Sequence, residues 1–248
     1  MLPIFLVSLI VILGATEIGR WLGTRAGDRG GEQVRTLEGA VLGLLALMIA
    51  FTFAMALSRY EARRDAVLSE ANAMGTAALR ARLLPEPHNT ETLKLLRDYV
   101  KLRLDMTQRV LTPAEFDTAV ARSSQIQEGL WQQAVAVAAK NQELVPTGLF
   151  IDALNRLIDD QEKRLTAFRN RVPNIVLLAL YGVAVIAGAF SGYAGGLGTR
   201  SSRLPTFVMI TLICAVILLI QDLDRPSMGF ITTSQQPMID TAAAIAAY

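Results

Sequence analysis

The residues that could act on a small ion lie in an uncharged apolar run from Gly39 to Ser58, which closes on Arg59. A period of 3.6 residues places one set on a single helical face: Val41, Met48, Thr52, Met55 and Arg59, with Phe53 at its border. Arg63 follows one turn later. A narrow apolar constriction can block ions by dewetting, and a ring of arginines favours anions. This face therefore predicts the lining of an ion pathway, with Arg59 and Arg63 at its mouth.

A plainer interpretation fits the same residues. The apolar members of the face could contact lipid or a neighbouring helix. Arg59, Arg63 and Arg64 could be solvated arginines of the kind that end many membrane helices. Glu61 and Asp65 stand beside them and could neutralise their charge. The residues alone leave both interpretations open.

Few other residues predict chemistry. Asp222 and Asp224 could bind a cation at a membrane mouth, or could end a helix and pair with Arg225; two carboxylates are too few for a metal site. His88, the one histidine, is expected to be solvated in a loop, and the one cysteine, Cys214, excludes an intrachain disulfide. The sequence contains no phosphate loop, catalytic triad pattern or metal-ligand spacing, so we expect neither an enzyme nor a bound cofactor or metal.

Hydrophobicity is concentrated at the two ends of this 248-residue chain, which is 52% hydrophobic. Four apolar runs are each near the ~20 residues that cross a bilayer: Leu2–Gly19, Gly39–Ser58, Asn174–Leu197 and Leu204–Gln221. The first lacks the basic start of a signal peptide, so we expect it to be retained. The pattern predicts an all-α membrane protein, with four transmembrane helices and a helical soluble domain between the second and third. The net charge of +2 predicts no nucleic-acid partner.

These runs divide the chain into a first transmembrane hairpin (1–59), a helical soluble domain (60–172), a second hairpin (173–222) and a C-terminal tail (223–248). Helices are predicted in the soluble domain at about 61–84, 90–111, from 112 onward and at 147–171. The third opens on Thr112-Pro113-Ala114-Glu115, a capping box with proline at the first helical position. Neither glycine nor proline interrupts Ser58–Glu61, which predicts one continuous helix through that junction.

Small residues recur at helix-packing spacing in two of the runs. The second run carries Gly39, Gly43, Ala46, Ala50 and Ala54, and the third carries Ala184, Gly188, Gly192 and Gly196. Such stripes let helix backbones approach closely in lipid. Packing within one subunit and packing between subunits remain open alternatives.

Charge gives little guidance on orientation. With two helices on each side of the soluble domain, both termini and that domain share one side of the membrane. Eight basic residues lie near the membrane ends on that side: Arg59, Arg63, Arg64, Lys163, Arg164, Arg169, Arg171 and Arg225. Six lie near the hairpin loops: Arg20, Arg25, Arg29, Arg35, Arg200 and Arg203. The excess is too small to decide orientation by the positive-inside rule.

Five segments resemble the bacterial bestrophin-like domain family. They are Gly43–Arg64, Glu70–Arg80, Leu83–Pro87, Leu154–Pro173 and Asp222–Pro226 with Gly229. The resemblance implies an analogy to bestrophins, which are pentameric anion channels with four membrane helices and a cytosolic helical domain between the second and third. The sequence departs from the bestrophin pattern in two features. Only Asp222 and Asp224 stand where bestrophins carry a long acidic calcium clasp, and Phe51 and Phe53 are two residues apart rather than one turn.

The resemblance implies a homo-oligomeric, anion (chloride) selective channel, expected to be a pentamer, with the second transmembrane helix lining the pore. The expected partners are the lipid bilayer, further copies of the chain and permeant small ions. The expected location is the bacterial inner membrane, with the soluble domain and both termini cytoplasmic. The alternative is a non-conducting membrane scaffold or sensor whose helical domain binds a protein.

Overall fold

The computed structural model describes residues 2–26, 31–108, 110–140, 144–197, 203–226 and 229–248. Within these ranges the chain forms eight α-helices and no β-strand, which confirms the all-helical prediction. They are α1 (Leu2–Ala26), α2 (Gly31–Ala81), α3 (His88–Gln108), α4 (Pro113–Lys140), α5 (Leu144–Arg169), α6 (Asn174–Leu197), α7 (Arg203–Asp224) and α8 (Gln236–Ala246). Two arginines of the charge comparison, Arg29 and Arg200, lie outside the described residues.

Four of these helices, α1, α2, α6 and α7, are long and apolar enough to cross a membrane. The candidate spans are Pro3–Ala26, Gly31–Ala81, Val145–Leu197, which includes α6, and Arg203–Asp224, and each overlaps one of the apolar runs of the sequence. α1 extends to Ala26, beyond the predicted Gly19, because the polar segment around Arg20 and Arg25 continues the same helix. α8 was not predicted, since its 11 residues form a short segment in the C-terminal tail.

Two local predictions about helix boundaries are confirmed. α2 is a single helix of 51 residues that passes through Ser58–Glu61 without interruption. At the start of α4, the Thr112 N–H donates to the Glu115 carboxylate at 2.8 Å, and the Glu115 N–H donates to Thr112 Oγ1 at 3.3 Å. These reciprocal hydrogen bonds satisfy two backbone donors that a helix start leaves without intrahelical partners.

The described residues divide into two compact units. The apolar unit comprises α1, α2 up to Arg59, residues 171–197, residues 203–225 and Gly229–Ile231. The polar unit comprises α2 from Tyr60, residues 82–170 as far as they are described, Pro226 and Thr232–Tyr248, and so contains α3, α4, α5 and α8.

The apolar unit is organised around the close packing of α1 on α6. A Cβ added to Gly192 would collide with the Thr16 carbonyl oxygen, and one added to Gly19 would collide with the Ala189 carbonyl. Added to Gly188, it would lie 2.9 Å from Thr16 Oγ1. Only glycine permits such an approach of two helix backbones.

The polar unit has a conventional hydrophobic core drawn from five helices. Its fully buried large side chains include Met74 of α2, Leu96 and Tyr99 of α3, Leu130 of α4 and Phe150 of α5. The C-terminal α8 adds Met238 and Ile245 to the same core. The C-terminal segment is therefore an integral part of this unit, and α8 completes the cover over α2 and α3.

Candidate functional site

The part of α2 within the apolar run presents one buried and one open side. Leu45, Thr52 and Ala56 are almost completely buried. On the other side, the exposed fractions are 50% for Leu44, 52% for Leu47 and 67% for Phe51. These bulky side chains recur at three- and four-residue spacing, so they form a continuous apolar stripe along the helix. We call Leu44, Leu47 and Phe51 the open stripe.

The predicted pore-lining face proves to be turned mostly inward. Thr52 is only 2% exposed, and its hydroxyl donates to the Met48 carbonyl at 2.7 Å, so the single chain does not present this residue at its surface. The other predicted lining residues are half-buried: Val41, Met48, Phe53, Met55 and Arg59. Helical periodicity tells which residues share a face, but it does not tell which face the rest of the chain covers.

The charges that follow the apolar run are also divided between the two sides of α2. Arg63, predicted at a pathway mouth, is 5% exposed, and Arg59 is half-buried. Glu61, Arg64 and Asp65 are exposed. The basic ring predicted from Arg59 and Arg63 is therefore directed largely toward the interior of the chain.

The two stripes of small residues have different surroundings. Gly188, Gly192 and Gly196 of α6 pack within the chain against α1, where an added Cβ would meet Thr16 or Arg20 atoms. Gly39 and Gly43 of α2 face open space, with nothing within 4 Å of an added Cβ. In the single chain, the α6 stripe is thus used for internal packing and the α2 stripe is uncovered.

The acidic pair near the end of α7 binds backbone amides. Asp222, 3% exposed, accepts the N–H groups of Phe230 at 2.9 Å and Ile231 at 2.8 Å. Asp224 accepts the Val172 N–H at 2.8 Å. Gly229 fits beside Asp222 because a Cβ there would approach the carboxylate to 2.6 Å. Both carboxylates thus fix the chain around the end of α7, and no group of three or more metal-binding side chains occurs among the described residues.

A buried charge cluster in the polar unit escaped the sequence analysis. Glu70 of α2 is fully buried and pairs with Arg103 at 2.9 Å and Arg164 at 2.6 Å. The Tyr99 hydroxyl lies 2.8 Å from the Glu70 carboxylate and 2.6 Å from Gln161 Oε1. We call Glu70, Tyr99, Arg103, Gln161 and Arg164 the Glu70 cluster. Spacing could not reveal it, because its members come from three helices distant in sequence.

Burial shifts the pKa of two members of this cluster, Tyr99 and Arg164. Loss of solvent around Tyr99 raises the pKa of its phenol well above the usual value of 10.0, and the Glu70 charge adds to the effect. The same loss of solvent lowers the pKa of Arg164, partly offset by Glu70. A buried carboxylate shared between two guanidinium groups compensates part of the cost of burying three charges. The arrangement joins α2, α3 and α5 through charged and polar side chains that are largely withdrawn from solvent.

Two single residues also differ from or extend the predictions. His88 opens α3 and is half-buried, with Nδ1 2.8 Å from Gln133 Oε1, so the prediction of a solvated loop histidine is wrong. Cys214 is buried in α7. An open groove of about 230 Å³ between α2 and α5 is lined by Ser69, Asn72, Ala73, Thr76, Ala153, Arg156 and Asp160.

Comparison with known proteins confirms the resemblance seen in the sequence. The family described as the Bestrophin-like domain matches residues 5–238. A comparison with curated proteins found no match.

Solved structures share the fold at low sequence identity. A variant of a bacterial bestrophin homologue from Klebsiella pneumoniae, with a tryptophan replaced by alanine, superposes with a TM-score of 0.72 at 15% identity, covering 98% of this chain and 94% of that one. A membrane protein with a proline-to-alanine substitution gives a TM-score of 0.65 at 16% identity, covering 99% and 94%. A tyrosine-to-alanine variant of the Klebsiella homologue gives 0.61 at 16% identity, covering 99% and 97%.

Proposed function

Because the chain belongs to the bestrophin-like domain family, we propose that it is the subunit of a homo-oligomeric ion channel whose second helix, α2, lines the pore. The observation that supports this most directly is the uncovered side of α2 in a helix apolar enough to cross a membrane. Lipid or further copies of the chain must cover the apolar surface that the single chain exposes.

The open stripe is the part of α2 that we assign to the pore. In a symmetric ring, Leu47 and Phe51 of each copy would approach the axis and form an apolar constriction, which can gate by dewetting. The adjacent uncovered small residues would allow close contact with a neighbouring subunit. This assignment replaces the face that contains Thr52. A pentamer is the subunit number that the family analogy favours.

The location follows from the same analogy. The chain is a multi-pass membrane protein, and we propose that it lies in the bacterial inner membrane with the polar unit and both termini on the cytoplasmic side. No enzymatic activity or cofactor is proposed. The burial of Arg63 in the single chain removes part of the support for a chloride-selective ring of arginines.

Cysteine accessibility tests the pore assignment. In a background with Cys214→Ser, single variants Leu47→Cys, Phe51→Cys and Thr52→Cys are reconstituted in planar bilayers and exposed to a charged thiol reagent. We expect the reagent to change the current through Leu47→Cys and Phe51→Cys. Thr52→Cys is the matched control, since it is one residue away but buried, and its current should not change.

Two other outcomes would contradict the proposal at different levels. Current that responds to the reagent only in Thr52→Cys would restore the originally predicted face and remove the open stripe from the pore. The absence of any conductance at high protein density would remove the channel itself and favour the scaffold or sensor. A subunit count from native mass spectrometry tests the ring independently.

A further inference from the structure

Phe230 is the most exposed large apolar residue among those that the structure describes, although its backbone is firmly held. It is 89% exposed. Its N–H donates to one oxygen of Asp222 at 2.9 Å, and the N–H of Ile231 donates to the other oxygen at 2.8 Å. Gly229 lies against the same carboxylate, where a Cβ would approach it to 2.6 Å. The fold therefore fixes the backbone beneath an aromatic ring that the described residues leave uncovered.

Hydrogen bonds at the end of α7 place this segment at one face of the bilayer. Asp222 lies in the last turn of α7, and the apolar span of that helix ends at Asp224. Asp224 accepts the N–H of Val172 at 2.8 Å, and Val172 comes two residues before α6 begins. One membrane helix therefore ends where another begins, and the segment of Phe230 is bound at the same place. All of these residues belong to the apolar unit.

The depth of the segment follows from its partner. Asp222 comes two residues before Asp224, which is about 3 Å further into the span. On α6, exposed apolar residues begin at Ile175, which is 69% exposed, and continue one turn later at Leu178, which is 67% exposed. Non-helical backbone at the edge of the hydrocarbon has to satisfy its N–H groups within the protein. The Asp222 carboxylate does so for two of them.

Two arginines stand at the same level. The backbone N–H of Arg225 donates to the Asp222 carbonyl at 3.2 Å, and the exposed Arg171 directly precedes Val172. Arginine side chains at the ends of membrane helices direct their guanidinium groups toward the headgroups. Phenylalanine beside such cations is typical of protein segments that enter the boundary between headgroups and acyl chains. The surroundings of Phe230 therefore match a phospholipid surface.

We propose that Phe230 is an interfacial anchor. Its ring inserts at the boundary between the headgroups and acyl chains of the surrounding phospholipids, and Asp222 positions it there by holding the backbone. The insertion fixes the segment that follows α7 to the bilayer surface. The proposal does not require α2 to line a pore, so it is independent of the proposed channel.

Tryptophan fluorescence in liposomes tests the insertion. Trp21→Phe and Trp131→Phe remove the two native tryptophans from the full-length protein, and Phe230→Trp adds one at the anchor. The protein is reconstituted with phospholipids that carry bromine at known depths of the acyl chain. Quenching should place the new indole about 5–10 Å into the boundary between headgroups and acyl chains.

Two further single-tryptophan proteins calibrate the depth. Leu212→Trp is exposed on α7 and lies up to about 15 Å deeper than Asp222, so bromine near the chain ends should quench it most. Leu83→Trp is exposed in the polar unit and should respond to iodide in the water rather than to bromine.

The position of the carboxylate is tested in the Phe230→Trp protein. Asp222→Asn should weaken the quenching by shallow bromine, because the amide cannot accept both N–H groups as the carboxylate does. Asp224→Asn is the matched control and should leave the quenching unchanged, since Asp224 accepts the Val172 N–H instead. Equal quenching in the two variants would overturn the positioning role of Asp222.

Two results would overturn the insertion itself. Quenching of Phe230→Trp by iodide and not by bromine would show that the ring lies in water. Protection from both quenchers would show that protein, such as a second copy of the chain, covers the ring in place of lipid.

Discussion

The apolar and polar units use opposite means to bring their helices together. In the apolar unit, α1 and α6 approach so closely that glycine is needed where Thr16 and Ala189 carbonyls face α6 and α1. In the polar unit, helices are spaced by side chains around a core that contains Met74, Leu96 and Phe150, and a charge cluster joins α2, α3 and α5. In water, burial of apolar surface drives helices together, so large apolar side chains stabilise the packing of the polar unit. In lipid this driving force is absent, and close packing of the helices has to supply the attraction between them.

The largest effect is expected from the Glu70 cluster. Glu70→Gln removes the only negative charge of the cluster and leaves the buried Arg103 and the largely buried Arg164 without a carboxylate partner. Breaking a buried ion pair costs about 3–5 kcal/mol, because the remaining charges stay desolvated. We expect a clear fall in the unfolding temperature of the detergent-solubilised protein, followed by circular dichroism.

The control for the loss of stability in Glu70→Gln is an ion pair at the surface of the same unit. Asp152→Asn removes the partner of Arg80 and Arg156, but this carboxylate is exposed to solvent and its ion pairs are screened. It should leave the unfolding temperature unchanged. Equal unfolding temperatures for Glu70→Gln and Asp152→Asn would show that the buried ion pairs of Glu70 contribute no more to stability than the exposed ion pairs of Asp152.

A methyl group at the α1–α6 contact tests the other half of the comparison. Gly192→Ala places a Cβ against the Thr16 carbonyl, so the two helices must separate. Overpacking of this kind costs about 1–3 kcal/mol. Thermal unfolding in detergent measures it, and Gly182→Ala is the control on the same helix, where a Cβ meets nothing within 4 Å. A Gly192→Ala protein as stable as the Gly182→Ala protein would refute the close packing.

The hydrogen bonds that Asp222 accepts predict a smaller, local change in stability. Asp222→Asn replaces one of the two oxygens that accept the Phe230 and Ile231 N–H groups. Each hydrogen bond to a charged acceptor contributes about 1.5–3 kcal/mol, so part of this should be lost in that segment alone. We expect faster amide hydrogen exchange at Phe230 and Ile231.

Asp224→Asn provides the comparison for these hydrogen bonds. It should accelerate exchange at Val172, whose N–H it accepts, and leave Phe230 protected. Unchanged exchange at Phe230 in Asp222→Asn would mean that another group protects this amide.

Local signals explain why much of the fold was predictable. The capping box at Thr112 fixes a helix start through hydrogen bonds between residues three apart in the sequence. The length of each apolar run can be counted in the sequence and predicts a membrane-spanning helix. The Glu70 cluster was not predictable, because Glu70 and Arg164 are 94 residues apart and no local sequence pattern indicates that they form a pair. The side of α2 that is covered depends on the other helices, so periodicity could group Thr52 with its neighbours on one face but could not show that Thr52 is buried.

Removing the phenol of the Glu70 cluster gives the smallest effect and one that depends on pH. Tyr99→Phe leaves Glu70 paired with both arginines and removes only the hydroxyl contacts, which contribute about 1–2 kcal/mol. Because burial raises the pKa of Tyr99 in the folded protein, the native phenol keeps its proton above pH ~10, where the unfolded chain releases it. The unfolded state then binds fewer protons, so stability falls as pH rises through that range.

The stabilising contribution of the Tyr99 proton is therefore fully present below pH ~10 and is lost as pH approaches the raised pKa of the folded state. Above pH ~10, the wild type should lose stability faster than Tyr99→Phe, which lacks this group. Phenolate absorbance in the native state measures the same property: the wild type and Tyr99→Phe should give equal signals until unfolding. An additional phenolate in the native wild type near pH 10 would show that Tyr99 is solvated. The Glu70 cluster would then not be withdrawn from water, and the comparison between it and the glycine-packed contact of α1 and α6 would no longer hold.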